Sequence, residues 1–370
     1  MKKIIFIILI IAASIIMSLT VFAEEDLSEY GINDIQEYLD ENNKDINISQ
    51  MAGELMSGKS KNVFRELFSY YLKKDLKEVI FDKKMIVKII MLTFVSSLLC
   101  NFTDMFRSRQ LSDVTFYVIY LMITSLLFSG FYVAGSVAEE MGKSVCNFVK
   151  ILIPSFAMAV GATGNISAAT GTYEIMFASL YLISYLYLKI LIKLVKVYVV
   201  LCLINNIFSE DLLSKTTELI RWVIKWVNRV LIGLVIGVNT VQSIIINTAD
   251  TVRVNGVCKL ITLFPGVGSS AKTVAEVLVG SGAVIKNTIG LVGMIVLIVV
   301  AFIPLAKMFS FSFMYKLTQA IIQPVADKRI LKSIEGAYEG VSLLINIMFG
   351  TVIVFFISIV IICMSTNGGL

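Results

Sequence analysis

Apolar stretches of membrane-spanning length recur along this chain from Lys84 to its carboxyl terminus. A helix needs about 20 residues to cross the hydrocarbon of a bilayer. Only 16% of the 370 residues are charged, whereas soluble domains carry roughly a quarter. Because helices satisfy their own backbone hydrogen bonds in lipid, we predict an all-α, polytopic α-helical membrane protein. We predict about seven spans, near Met85 to Phe102, Val114 to Val137, Val145 to Ala162, Ile175 to Ile204, Trp226 to Ile246, Ile289 to Leu305 and Val341 to Met364.

The amino terminus has the pattern of a secretory signal. Two lysines precede an apolar run from Ile4 to Phe22, and Ala23 follows it. This pattern predicts a signal peptide over residues 1–23 that is cleaved after Ala23. An uncleaved anchor is the alternative, because the apolar run is just long enough to span. In either case Glu24 onward is expected to start outside the cytoplasm.

An acidic, helix-prone segment covers residues 24–83. It holds 14 acidic and 8 basic residues, whereas residues 84–370 hold 13 acidic and 22 basic residues. We therefore predict a small helical extracytoplasmic head at 24–83, followed by a membrane domain at 84–370. Apolar residues at helical spacing over 63–80 are expected to pack on that membrane domain, with a partner or the lipid surface as alternatives.

The apolar segment from Val257 to Ile285 is interrupted by proline and glycine. Its sequence FPGVGSSAKT comes close to a phosphate-binding loop, but Ala271 stands where that pattern needs its second glycine. Its flanks are membrane spans rather than the strand and helix of a soluble sheet, so nucleotide binding is disfavoured. We predict a broken or re-entrant segment at 257–285, with Pro265, Gly266 and Gly268 forming the backbone break.

Three lysines interrupt the fourth predicted span. Lys189, Lys193 and Lys196 follow i, i+4, i+7 spacing, which predicts one helical stripe. Each lysine costs a few kcal/mol at the bilayer centre, so three facing lipid are implausible. Either the stripe lines a water-filled cavity or subunit interface, or the lysines snorkel to the headgroups. The second alternative is favoured, because no acid lies nearby in the sequence to offset their repulsion.

Basic residues also alternate with tryptophan at the start of the fifth predicted span. Arg221, Lys225 and Arg229 recur every four residues beside Trp222 and Trp226. This combination is typical of a helix that enters the membrane through an anionic headgroup layer.

A turn is predicted shortly before the last span. Pro324 should end or kink a helix, and Asp327 is then placed to cap the helix that follows. A local pair of Asp327 with Arg329 or Lys328 is the simplest role for its charge.

The residue inventory excludes several kinds of chemistry. The chain has no histidine, and its 5 cysteines are scattered singly, so histidine-dependent triads and zinc sites are excluded. An intramembrane hydrolase would need a paired acid and base, and acids are scarce in the predicted spans. We predict no enzyme, no catalytic residue, no cofactor and no metal. A basic groove with stacking aromatics is also missing, so nucleic acid is not a predicted partner.

Two motifs, FPGVGSSAKT at 264–273 and IIQPVADKRI at 321–330, carry a resemblance to a known family. Together with the predicted signal, acidic head and polytopic body, they resemble the stage III sporulation protein AE family of endospore-forming bacteria. The likeness extends from about Leu27 to Met364. It implies a protein of the mother-cell membrane around the forespore, within a transenvelope channel or secretion-like complex. It also implies other stage III sporulation membrane proteins and a separate ATPase subunit as partners, and no catalytic residues.

Two functions follow from the sequence. The first is a non-enzymatic integral membrane component of that sporulation complex. The alternative is a secondary transporter or permease, with a binding site at the broken helix near Pro265 and the lysine stripe at 189–196.

Overall fold

A computed structural model describes most of the chain as helix. The described residues are 31–41, 47–56, 87–95, 98, 109–163, 166–207, 212–261 and 268–365. The predicted signal peptide, most of the predicted head, Pro265 and Gly266 lie outside them. No strand occurs among the described residues, so the all-α prediction is confirmed for that part of the chain.

Nine helical elements are numbered here in chain order, with one π-helix among them. They are α1 (Ile32–Glu41), α2 (Ile48–Met56), α3 (Arg109–Gly161), α4 (Ile166–Ile183), π1 (Ser184–Leu191), α5 (Ile192–Asn205), α6 (Ser214–Ile261), α7 (Gly268–Ile322) and α8 (Lys328–Ser365). A further helical segment covers residues 87–95.

The centre of the bundle is an antiparallel hairpin of α7 and α8. In the middle of α7, over residues 282–300, only Ile298 has an exposed side chain. Lys286 is fully buried there, and its ammonium group donates to the Cys363 carbonyl oxygen at 3.0 Å. Because the last carbonyls of a helix lack partners within the helix, this lysine caps the end of α8.

The predicted turn before the last span is present. Helix α7 ends at Ile322, Pro324 follows in the turn, and α8 begins at Lys328. The Arg329 backbone N–H donates to Asp327 Oδ1 at 2.8 Å, and its guanidinium lies 3.3 Å from the same oxygen. Both the cap and the local ion pair predicted for Asp327 are confirmed.

Helix α3 is longer than any predicted span. Its 53 residues extend about 80 Å at 1.5 Å per residue, more than twice the hydrocarbon thickness of about 30 Å. The stretches Val114 to Val137 and Val145 to Ala162, predicted as separate spans, are thus two parts of one helix. The residues between them, 138–144, are mostly good helix formers, and Glu139 there finds a cationic partner on another helix, so the helix continues.

Three described helices are long and apolar enough to cross a membrane, at Val114–Gly161, Gly282–Ile322 and Lys328–Met364. The second and third contain the predicted spans Ile289 to Leu305 and Val341 to Met364. The predicted span Ile175 to Ile204 lies along the continuous run α4–π1–α5, and Trp226 to Ile246 lies within α6. The total of seven spans stays a prediction.

The predicted break at 257–285 lies partly outside the described residues, because the structure does not describe residues 262–267. Helix α6 ends at Ile261, and Gly268 is the first residue of α7. These two helices have 48 and 55 residues, and the broken or re-entrant segment stays a prediction. Farther along α7, a Cβ at Gly282 would lie 2.3 Å from the Ala162 carbonyl oxygen, so only glycine lets α7 approach the end of α3 this closely.

The described part of the head packs on the bundle. Helix α1 buries Ile32, Ile35 and Leu39 and turns its acidic residues outward. The Tyr38 hydroxyl donates to the Ser144 carbonyl oxygen of α3 at 2.8 Å. Helix α2 packs on α7. Whether this head lies outside the cytoplasm stays a prediction.

Candidate functional site

A half-buried polar cluster joins three helices near one end of the bundle. Glu339 of α8 accepts a hydrogen bond from the Tyr198 hydroxyl of α5 through Oε2. Its other oxygen, Oε1, lies 2.5 Å from Arg221 Nη1 of α6. The Arg221 and Glu339 side chains are only 35% and 31% exposed, so both charges are partly removed from water. We call Tyr198, Arg221 and Glu339 the polar clasp.

A second ion pair joins α3 to α5 near the polar clasp. Lys196 Nζ lies 2.6 Å from Glu139 Oε1 and 5.5 Å from the centre of the Tyr132 ring. The Lys196 side chain crosses α3 at Gly135, where a Cβ would lie 3.3 Å from its Cε. The ammonium group is therefore balanced by a carboxylate and an aromatic face.

A third contact lies deeper in the bundle and involves no charge. The Tyr187 hydroxyl donates to Asn228 Oδ1 at 2.8 Å, and the Asn228 amide donates to the Asn346 carbonyl oxygen at 3.3 Å. This contact links π1, α6 and α8. A Cβ at Gly350 would lie 2.8 Å from Asn228 Oδ1, so a larger residue there would displace this side chain.

These contacts fix the relative positions of helices. Glu139 and Glu339 are each held by a basic partner, and charge-assisted contacts of this kind favour one arrangement of the helices. Among the described residues no group of three or more metal-binding side chains occurs. The arrangement can hold α3, α5, α6 and α8 in register, and a change in any one pair would be felt by its neighbours.

The three lysines predicted as one stripe are divided by the structure. Lys189 and Lys193 are exposed on the outer surface, and Lys189 Nζ lies 5.6 Å from the centre of the Tyr185 ring. Lys196 instead turns toward α3. Lys193 and Lys196 both lie in α5, so the packing of α5 on α3, rather than the π-helical turn at Lys189, separates them. No acid lies near Lys196 in the sequence, but the fold brings Glu139 to it from 57 residues away along the chain.

Two grooves on the described part of the chain are lined by residues other than these three lysines. One lies between α4 and α6, with Glu174 and Ile175 on one side and Gly233 and Gly237 on the other. The second lies between the segment 87–95 and α3. Of the predicted backbone break, Gly268 begins α7, whereas Pro265 and Gly266 lie outside the described residues.

Sequence reasoning missed the acids of this site. Glu139 and Glu339 each stand in a long apolar helix, where an unpaired carboxylate is expensive. Each carboxylate therefore needs a cationic partner, and this need is the signal that the sequence offers for the site. The partners Lys196 and Arg221 are 57 and 118 residues away along the chain, and only the packing of the helices identifies them.

Comparison with known proteins gives a consistent result. A family model described as stage III sporulation protein AE matches residues 46–366. A protein named stage III sporulation protein AE, from Bacillus subtilis (strain 168), is 23% identical over 305 residues, which cover 82% of this chain and 75% of that protein. No solved structure matches the chain. The two motifs noted at 264–273 and 321–330 both lie inside the matched range.

Proposed function

Because the chain belongs to the stage III sporulation protein AE family, we propose that it is a non-enzymatic, multi-pass membrane component of a sporulation transenvelope channel or secretion-like complex. In this proposal it resides in the mother-cell membrane around the forespore. It acts by assembly with other stage III sporulation membrane proteins and with a separate ATPase subunit.

The proposal rests on how the polar side chains of the bundle are used. An enzyme would present an acid, base or nucleophile to a cleft, whereas Glu139 and Glu339 are each held by a basic residue of another helix. Large apolar side chains are exposed along α3, α4 and α6. Ion pairs fix the helices of the bundle relative to one another, and apolar side chains are exposed on its outside. This arrangement suits a subunit that works through its surfaces in a membrane.

A genetic experiment tests the role in sporulation. We expect deletion of the gene in its endospore-forming host to stop development after engulfment and to leave vegetative growth unchanged. An intact copy should restore spore formation. Loss of vegetative viability, or a normal yield of spores from the deletion strain, would contradict the proposal.

A second experiment tests assembly. When the full-length protein is purified in mild detergent from the membranes of sporulating cells, other stage III sporulation proteins and an ATPase should co-purify with it. Glu339→Gln should reduce both this recovery and the spore yield, because it removes the charge that holds Arg221. Glu335→Gln is the matched control, since Glu335 is exposed on the same helix one turn earlier. If Glu339→Gln and Glu335→Gln recovered equal amounts of these proteins, the polar clasp would not be needed for assembly.

The transporter alternative gains no specific support from the described residues. Lys189 and Lys193 are exposed on the outer surface, and Lys196 is engaged by Glu139. Purified protein in liposomes that moved a defined solute by itself, and lost this activity on Lys193→Ala, would favour the transporter.

A further inference from the structure

Two contacts between neighbouring helices determine which exposed residues lie at the same height in the bundle. Tyr187 of π1 contacts Asn228 of α6, and Tyr198 of α5 reaches Arg221 of α6 through Glu339. The run π1–α5 is therefore antiparallel to α6. Residues between 187 and 198 lie at about the height of residues between 221 and 228.

This height carries basic and aromatic side chains on the outer surface of both helices. Trp222 and Trp226 are 55% and 48% exposed, and their rings stack with centres 6.0 Å apart. Tyr185 is exposed beside Lys189. We call the whole set the basic-aromatic belt. Its members are Tyr185, Lys189, Lys193, Trp222, Lys225, Trp226 and Arg229, all exposed.

The belt keeps a positive charge because the acids near this height are matched by other cations. Glu339 is paired with Arg221, and Glu139 is paired with Lys196. Glu140 of α3 and Glu335 of α8 are exposed, and the exposed cations Lys143 and Lys332 stand one turn away on the same helices. The four cations of the belt therefore present a net positive surface to the surroundings.

The belt also marks a change in the surface of α6. Before it, Lys215 and Glu218 are exposed. After it, residues 230–244 contain no charged residue. Their exposed large side chains are all apolar, namely Val230, Leu234, Val238, Val241 and Ile244. Tryptophan and tyrosine prefer the boundary between hydrocarbon and headgroups, and basic residues beside that boundary attract anionic lipids.

We propose that the basic-aromatic belt binds the headgroups of anionic phospholipids and fixes the depth of α6 in the bilayer. Residues 230–244 then lie on the hydrocarbon side, with Glu174 confined to the groove between α4 and α6. The inference requires that the bundle inserts in a membrane. It does not depend on the sporulation role, so failure of one leaves the other standing.

The chain offers a direct measurement of this depth. Trp222 and Trp226 are the 2 tryptophans of the sequence, so intrinsic tryptophan fluorescence reports on the belt alone. The full-length protein is reconstituted in vesicles of phosphatidylcholine and phosphatidylglycerol whose chains are brominated either near the glycerol or near the methyl end. We expect the stronger quenching from bromine near the glycerol. Stronger quenching from the methyl end, or quenching by aqueous acrylamide without quenching by either lipid, would overturn the proposed depth.

Lipid preference is tested with matched variants. The detergent-purified protein is incubated with equal amounts of phosphatidylcholine and phosphatidylglycerol, and the retained lipids are quantified by mass spectrometry. We expect a preference for phosphatidylglycerol that falls at least fivefold in the double variant Lys225→Gln, Arg229→Gln, since each basic residue near a membrane surface contributes about that factor. The control is Lys215→Gln with Lys328→Gln, two exposed cations outside the belt.

The outcomes separate clearly. A preference that falls in the belt variant and persists in the control supports the proposal, provided that both variants keep the far-ultraviolet circular dichroism of the parent protein. An equal fall in both variants would mean that total charge, rather than the belt, selects the lipid. Absence of any preference in the parent protein would also refute the proposal.

Discussion

The coupling between Arg221 and Glu339 can be worked out from their surroundings. At 2.5 Å, unit charges attract by roughly 7 kcal/mol at the effective dielectric constant of about 20 that suits pairs near a protein surface. Desolvation of two side chains that are 35% and 31% exposed, and the side-chain entropy lost by holding them together, offset most of this attraction. Exposed pairs couple by about 0.2–1 kcal/mol, so we expect this half-buried pair to couple by about 1.5 kcal/mol.

A double-mutant cycle measures this coupling. The variants Arg221→Gln, Glu339→Gln and their combination are unfolded from mild detergent by sodium dodecyl sulfate, and helix loss is followed by circular dichroism. The cycle subtracts the effects that each substitution has on its own. What remains is the interaction of the two charges.

Helix α6 supplies an internal control for the cycle. Lys215 and Glu218 lie 3.4 Å apart, but their side chains are 93% and 61% exposed, so their coupling should be only about 0.3 kcal/mol. If Arg221 and Glu339 couple no more strongly than this exposed pair, then burial does not strengthen the polar clasp, and the reasoning above is refuted.

Three further predictions concern other contacts. Lys196→Met should destabilise the bundle by about 2 kcal/mol because it strands Glu139, and adding Glu139→Gln should restore most of the loss in the same unfolding assay; no restoration would contradict the pairing. Gly282→Leu should lower the thermal midpoint in detergent, because the new side chain forces α7 away from Ala162, and an unchanged midpoint would show that this approach is not close. Burial raises the pKa of Tyr38 from 10.0 to about 12, so the docked head favours the neutral phenol. Docking of α1 on α3 should therefore weaken as the pH rises from about 10 to about 12. Limited proteolysis should show earlier cleavage of α1 over this pH range in the parent protein but not in Tyr38→Phe.

Local signals in the sequence were sufficient for part of the fold. Apolar runs predicted helices, and Pro324 with Asp327 predicted a turn and a cap, because both effects act within a few residues. The family resemblance, based on the segments 264–273 and 321–330, is confirmed by the match over 46–366. Each of these inferences needed only residues that are close together in the chain.

Contacts between distant segments could not be predicted in the same way. A polar stretch such as 138–144 indicates the end of a span, because hydropathy does not record that Glu139 meets Lys196 across the bundle. Lys193 and Lys196 lie three residues apart in α5, and the packing of α5 on α3 decides that Lys193 is exposed and Lys196 is half-buried. Tyr187 and Asn228 lie 41 residues apart along the chain, and only packing brings them together.

The central position of α7 and α8 has a consequence for biogenesis. These helices follow α3, α5 and α6 along the chain, yet those three helices pack on α8, and α3 packs on both α7 and α8. During synthesis, α3, α5 and α6 therefore gain their packing partner on α8 only after residues 328–365 have been made. A chain that stops before residue 328 would leave those faces uncovered.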